Sequence, residues 1–238
     1  MKRDRTSHWK ELATGLHYAR AAVQVGLGAG ERQIITQYFK TSDKILELGC
    51  GAGRVARGLR ELGYTNILAT DFSEVMVDLT REILAQGNPA WAQQVQREDA
   101  TALTLPNAAY DGVLYAFNGL MCLPNAEHRE RALREIYRVL KPQGYFFFSA
   151  ADREHGPQAA TWAKVTPAAD EVPGDFWHDT PSSPVFMHSS TKAETYAELT
   201  AAGFKIITSQ LSSEVAEENS LMKDFAGVTR FYVAQKNL

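Results

Sequence analysis

Ile45-Leu46-Glu47-Leu48-Gly49-Cys50-Gly51-Ala52-Gly53-Arg54-Val55 is the stretch that decides the fold. An apolar run over residues 44–48 breaks into three glycines at alternate positions. A helical pattern follows over residues 53–62, with Val55, Ala56, Leu59 and Leu62 on one face. Arg54, Arg57, Arg60 and Glu61 fall on the other face and are expected in solvent. A buried strand that turns through glycine into an amphipathic helix is the first unit of an α/β sheet.

The same alternation runs outward from this unit. Short apolar stretches at 66–70, 91–97, 111–117 and 144–151 read as further strands, and 73–86 and 125–140 as helices. Upstream, 8–39 reads as helical with a break at 26–30. Downstream, Thr191 and Glu194 form a capping-box pattern and Gly203 a helix stop, followed by closing strands at 204–211 and 230–235. The rhythm fails only over 152–189, which holds five prolines, three histidines and two tryptophans. A long irregular piece inside a domain reads as a functional loop. The expectation is one domain: a helical lid over 1–42, a core over 43–151, an insert over 152–190 that serves as a substrate lid, and closing elements over 191–238.

Composition excludes several classes. The 238 residues are 45% hydrophobic and 22% charged, with a net charge of −3, which suits a globular chain and not a disordered one. The slight acidity argues against holding nucleic acid by bulk charge. Cys50 and Cys122 fit no ligand spacing and read as reduced thiols, and His155, His178 and His188 lack metal-site spacing, so no metal is expected. No apolar run is long enough to span a membrane and none follows the basic start, so a cytoplasmic location is expected.

In a doubly wound sheet, ligands bind beyond the carboxyl ends of the strands. Two acids sit there besides the glycine loop. Asp71 ends the second strand, 18 residues past Gly53, where an acid accepts from a ribose diol. Asp99 follows the third strand, where an acid can accept from an adenine amino group. Either acid alone would pass for a turn or cap residue; the three features together point to an adenosine-containing ligand. A dinucleotide fingerprint would be G-x-G-x-x-G, but Arg54 stands where its last glycine should be. Glu47 also adds negative charge, so a cationic ligand is favoured over a phosphate and a nicotinamide-dependent dehydrogenase is the lesser reading.

The runs E-L-G-C-G-A-G, T-D-F-S-E-V-M, E-D-A-T-A-L, Y-D-G-V and L-R-E-I-Y-R-V-L-K-P-Q-G together resemble the class I S-adenosylmethionine-dependent methyltransferases. The likeness is close over 44–151 and follows element order over 191–235. It implies a Rossmann-like, seven-stranded, mostly parallel sheet with helices on both faces. It also implies S-adenosyl-L-methionine as cofactor. In that reading Gly49 and Gly51 lie along the methionine part and Glu47 supports its ammonium. Asp71 binds the ribose, Phe72 and Met76 pack on adenine, and Asp99 and the Ala100 N–H meet the adenine edge. Phe117 and Asn118 then stand beside the reacting methyl.

The acceptor pocket falls to the remaining parts: the first helix, the 118–124 loop and the insert. Among Asp152, Arg153, His155, Trp162, Trp177, His178, Asp179 and His188, we select His155 and His188 as candidate general bases. Tyr18, Trp162 and Trp177 are the candidate substrate contacts, with Trp9 a further aromatic wall. The basic residues of 129–141 alternate with Glu127, Glu130 and Glu135 and read as a solvated face. The expected function is methyl transfer to an O, N or C nucleophile of a small molecule, by a monomer or homodimer without nucleic-acid or membrane partners. An RNA or protein methyltransferase and a non-catalytic cofactor-binding protein are the alternatives.

Overall fold

The computed structural model describes residues 4–155, 159–164, 166, 171–178 and 184–238. Asp179 and the side chain of His178 lie outside the described residues. The chain opens on a 3-10 turn at Ser7–Lys10, then α1 (Leu12–Gln24) and α2 (Ala29–Tyr38). The doubly wound core follows as β1 (Ile45–Glu47), α3 (Arg54–Glu61), β2 (Ile67–Asp71), α4 (Glu74–Gly87), α5 (Pro89–Ala92), β3 (Val95–Arg97) and β4 (Tyr110–Tyr115). It continues with α6 (Ala126–Val139) and β5 (Leu140–Ala150). The remainder is α7 (Ala159–Trp162), β6 (Asp175–His178), β7 (Val185–His188), α8 (Lys192–Ala201), β8 (Phe204–Leu211), α9 (Ser212–Val215), α10 (Ser220–Ala226) and β9 (Arg230–Lys236).

Among the described residues the main sheet has seven strands in the order β3-β2-β1-β4-β5-β9-β8. β1 pairs in parallel with β2 on one side and β4 on the other, so strand order reverses beside β1. β9 alone runs against its neighbours β5 and β8. This is the Rossmann-like, mostly parallel sheet expected from the sequence. Both faces are covered, and β5 shows why: Phe146 and Phe148 pack with Leu133 and Ile136 of α6, while Phe147 packs with Ile34 and Ile35 of α2 and Leu59 of α3. A strand buried on both faces reads as an unbroken apolar run, as Phe146-Phe147-Phe148 does.

Several local expectations are corrected. The third strand is only Val95–Arg97, because Asn88 accepts from the Ala90 N–H at 3.0 Å and Pro89 starts a helical turn through Trp91. Arg54 and Arg60 are buried, not solvated. The Arg60 guanidinium satisfies the carbonyls of Thr65 and Ile67 at 2.6 and 2.9 Å, tying α3 to the start of β2. On α6, Arg131 and Arg134 are exposed as expected, but Arg129 is buried and bonded to Glu198 of α8 at 3.0 Å. The insert is not wholly irregular, since β6 and β7 pair as an antiparallel hairpin. Among the described residues no helix is long and apolar enough to cross a membrane.

Candidate active site

The carboxyl ends of β1, β2, β3 and β4 open on one cavity of about 400 Å³. The glycine loop forms its floor. Gly49 and Gly51 have φ of +57° and +55°, a left-handed conformation that L side chains rarely adopt. At Gly49 a Cβ would stand 2.7 Å from the Tyr115 ring, while at Gly51 it would meet no protein atom within 4 Å and project into open space. The loop is pinned by Cys50 N–H donating to the Thr70 carbonyl at 2.9 Å and the Thr80 hydroxyl donating to the Gly51 carbonyl at 2.7 Å.

Asp71 ends β2 against this loop. Its carboxylate accepts from the Gly51 N–H at 3.0 Å and the Ser73 N–H at 2.9 Å, yet burial pushes its pKa up to about 6. Glu47, the last residue of β1, is 2% exposed, and its Oε2 has no hydrogen-bond partner among the described residues. Burial raises its pKa to about 8, although the nearby Arg54 guanidinium opposes the shift. A buried carboxylate oxygen without a partner on a cavity wall is costly to keep and fits a cationic donor arriving from outside the chain. Asp99 is exposed at the rim, and both bonds it accepts, from the Thr101 N–H and hydroxyl at 2.8 Å, fall on Oδ1.

Phe117 and Asn118 follow β4 with φ of +53° and +63°. Two consecutive non-glycine residues in the left-handed region carry strain that the surroundings must hold. Ser149 of β5 does so: its hydroxyl and carbonyl accept from the N–H groups of Phe117 and Asn118 at 2.7 and 2.9 Å. The Asn118 Oδ1 is spent on the Ala151 N–H at 2.6 Å, and Asn118 does not line the cavity. Its side chain braces the turn that aims Phe117 inward.

The structure therefore brings Glu47, Gly49, Gly51, Asp71, Phe72, Met76, Asp99, Ala100, Phe117 and Tyr18 onto one cavity. It leaves His155, His188, Trp162 and Trp177 off the lining. His188 is 4% exposed, with Nδ1 2.8 Å from Asp175, whose other oxygen pairs with Arg5 at 3.0 Å. Burial and the Arg129 charge lower its pKa. The His155 imidazole lies 3.1 Å from Asp152, which Arg230 already engages at 2.6 Å. Asp152, Glu154 and His155 bring ligand atoms within 4.8 Å of one another, but the Arg230 guanidinium occupies Asp152. Trp162 of α7 stands edge-on to Phe176 of the insert hairpin, and Trp177 edge-on to Phe186 across it.

Sequence reasoning missed Arg54, Tyr115, His128 and Phe225, and named Cys122 only through the 118–124 loop; all five line the cavity. Arg54 forks onto Glu31 with bonds of 2.6 and 2.7 Å. His128, in the first turn of α6, has Nδ1 2.8 Å from the Asn125 Oδ1. The position of Asn125 before a helical run was the available signal, since an N-cap side chain also reaches the residue three places on.

Residues 45–144 match a family model described as a methyltransferase domain. A demethylmenaquinone methyltransferase of Lactobacillus johnsonii is 35% identical over 107 residues, 44% of this chain and 42% of that protein. Over residues 45–144 the chain is thus similar to the methyltransferase-domain family, and its sheet has the class I Rossmann-like fold. A human eEF1A lysine and N-terminal methyltransferase is 27% identical over 111 residues, 47% of this chain and 15% of that protein. The alignments thus span less than half the length of these curated relatives. Among solved structures, a SAM-dependent methyltransferase of Methanosarcina mazei superposes with a TM-score of 0.68 at 23% identity, covering 86% of this chain and 97% of that one. This likeness shows the shared fold.

Proposed function

We propose that the chain is an S-adenosylmethionine-dependent methyltransferase acting on a small-molecule nucleophile. The observation that carries the reading is the unpartnered Glu47 Oε2 on a cavity wall it shares with the positive-φ glycine loop and the Asp71 carboxylate. These residues fit the cofactor by chemistry. Glu47 takes its ammonium, the Gly49–Gly51 backbone flanks its amino-acid part, Asp71 accepts from its ribose hydroxyls, and Asp99 Oδ2 with the Ala100 N–H takes its adenine edge. Phe72 and Met76 flank the base. When bound, the cofactor would supply a methyl group for in-line transfer from its sulfonium sulfur to the acceptor, with S-adenosylhomocysteine as the leaving group.

The chain's contribution is then orientation and exclusion of water. Cys122 is pushed up to about 12 by burial, and burial raises Tyr18 as well, so both stay protonated at neutral pH and act as hydrogen-bond donors. Where the acceptor must lose a proton, His128 replaces His155 and His188 as the residue to take it. Its Nδ1 is engaged by the Asn125 carbonyl oxygen, an arrangement that leaves Nε2 as the basic atom.

The test is incubation of the protein with methyl-labelled cofactor and separate metabolite and protein extracts. Label in a small molecule supports the proposal. Label confined to protein supports the second reading, which the name of the human relative favours. No label in either extract removes the catalytic claim.

A further inference from the structure

Four aromatic side chains from four parts of the chain line the cavity: Trp9 of the 3-10 turn, Tyr18 of α1, Phe117 after β4 and Phe225 of α10. Phe117 and Phe225 stack with centroids 4.5 Å apart and planes 10° apart. Tyr18 stands edge-on to both, at 6.4 and 6.3 Å, and Trp9 lies 5.7 Å from Tyr18. None of the four is fully buried, although each already packs on another ring. Rings that pack together and still keep open surface on a cavity form a wall for something else.

Topology separates the Phe117–Phe225 stack from the adenine end. Phe117 follows β4 and Asp99 follows β3, and β2 and β1 lie between those strands. Three strand spacings put the two ends roughly 14 Å apart. The Phe117–Phe225 stack is therefore clear of the base, whereas the Trp9 carbonyl accepts from the Ser73 hydroxyl at 2.7 Å beyond β2; the stack is firmly placed. The Glu218 carboxylate accepts from the N–H groups of Ala29 and Gly30 at 2.8 and 2.7 Å, anchoring the segment before α10 to the start of α2. Asn219 then caps α10, accepting from the Met222 N–H at 2.8 Å, and the helix carries Phe225 inward.

Charge selects the kind of ring. The Arg54 guanidinium lies 5.7 and 5.8 Å from the Phe117 and Phe225 centroids, so a cation already draws on these π-systems. Glu31 neutralises that guanidinium, so a cationic acceptor finds ring faces already engaged, whereas an uncharged aromatic ring gains the offset or edge-on contacts that aromatic faces favour. The Tyr18 hydroxyl and Cys122 thiol supply donors for an oxygen or nitrogen substituent on that ring.

We infer that Tyr18, Phe117 and Phe225 form an acceptor subsite for a flat, uncharged aromatic ring, with Phe225 setting that preference. The inference rests on the methyltransferase reading, because the ring is taken as the methyl acceptor. The test uses the full chain saturated with S-adenosylhomocysteine. The probes are 2-naphthol, the saturated 2-decalol and the phenyltrimethylammonium cation, with affinities from calorimetry and contacts from saturation-transfer NMR. 2-Naphthol is expected to bind about tenfold more tightly than either other probe. Phe225→Leu is expected to weaken 2-naphthol roughly 3- to 10-fold while S-adenosylhomocysteine affinity stays within about twofold, and Phe225→Tyr to restore it. Equal affinity for 2-naphthol and 2-decalol, a preference for the cation, or no effect of Phe225→Leu overturns the subsite while leaving the wider reading intact. Failure of the unmodified chain to bind S-adenosylhomocysteine overturns both.

Discussion

Arg54→Met removes one half of a buried, two-pronged ion pair, and the structure sets the size of the effect. Arg54 and Glu31 are 7% and 5% exposed, and their two bonds measure 2.6 and 2.7 Å. Glu31 Oε2 also accepts from the Gly28 N–H at 3.0 Å, and Arg54 donates to the Gly26 carbonyl at 2.9 Å, so the pair locks the α1–α2 turn onto α3. Truncating Arg54 leaves a buried carboxylate with one backbone donor. Breaking such a pair costs about 3–5 kcal/mol, a large share of the ~5–15 kcal/mol that typically holds a domain folded. Replacing both partners with apolar groups avoids the stranded charge and loses mainly the bonds to the Gly28 N–H and the Gly26 carbonyl, about 2 kcal/mol together. Urea unfolding of Arg54→Met, Glu31→Leu and the double variant therefore closes a cycle with a coupling of at least about 2 kcal/mol. A cost below about 1 kcal/mol for Arg54→Met, with additivity in the cycle, would refute the buried-pair account.

The remaining predictions concern the cavity and its approach. Glu47 must ionise to hold an ammonium, and its pKa of about 8 means that step costs more as pH falls. S-adenosylhomocysteine affinity is expected to rise up to about tenfold per unit between pH 6 and pH 8, with proton release seen by calorimetry in buffers of different ionisation heat. Glu47→Gln should flatten that slope, and a flat profile in the unmodified chain would contradict it. Asp71→Ala should abolish the cofactor-induced thermal shift, because it removes both the ribose acceptor and the anchor for the Gly51 and Ser73 N–H groups. His8 is buried with neither ring nitrogen partnered among the described residues, and burial lowers its pKa from 6.5 to about 4. The folded state then binds fewer protons than the unfolded between those values, so stability is intact above pH 6.5 and falls by about 2 kcal/mol toward pH 4. His8→Phe should lessen that loss in pH-dependent urea melts; an unchanged acid limb would discard His8 as its source.

Legibility in the sequence followed local chemistry. The strand–glycine–helix unit at 45–55 and the phenylalanine run of β5 were readable because burial and tight turns leave marks on adjacent residues. Asp71 and Asp99 were readable because strand ends converge in a doubly wound sheet. Arg54 and Arg60 were not, since α3 is covered by α1 and α2 as well as by the sheet, and a polar face on a helix does not say that carbonyls and Glu31 await it. Asn118 and His188 have ligand-like chemistry, yet one braces Ala151 and the other binds Asp175. Phe225 had no local signal: residues 212–229 lack periodicity, and the Glu218 contact that places them spans 188 residues to Gly30.

Calorimetric titration of the full chain with S-adenosylmethionine, S-adenosylhomocysteine and NADH tests the central claim most directly. The account predicts saturable one-site binding of both sulfur nucleosides, lost in Asp71→Ala, and no binding of NADH. Binding of NADH with no heat from either sulfur nucleoside would contradict it.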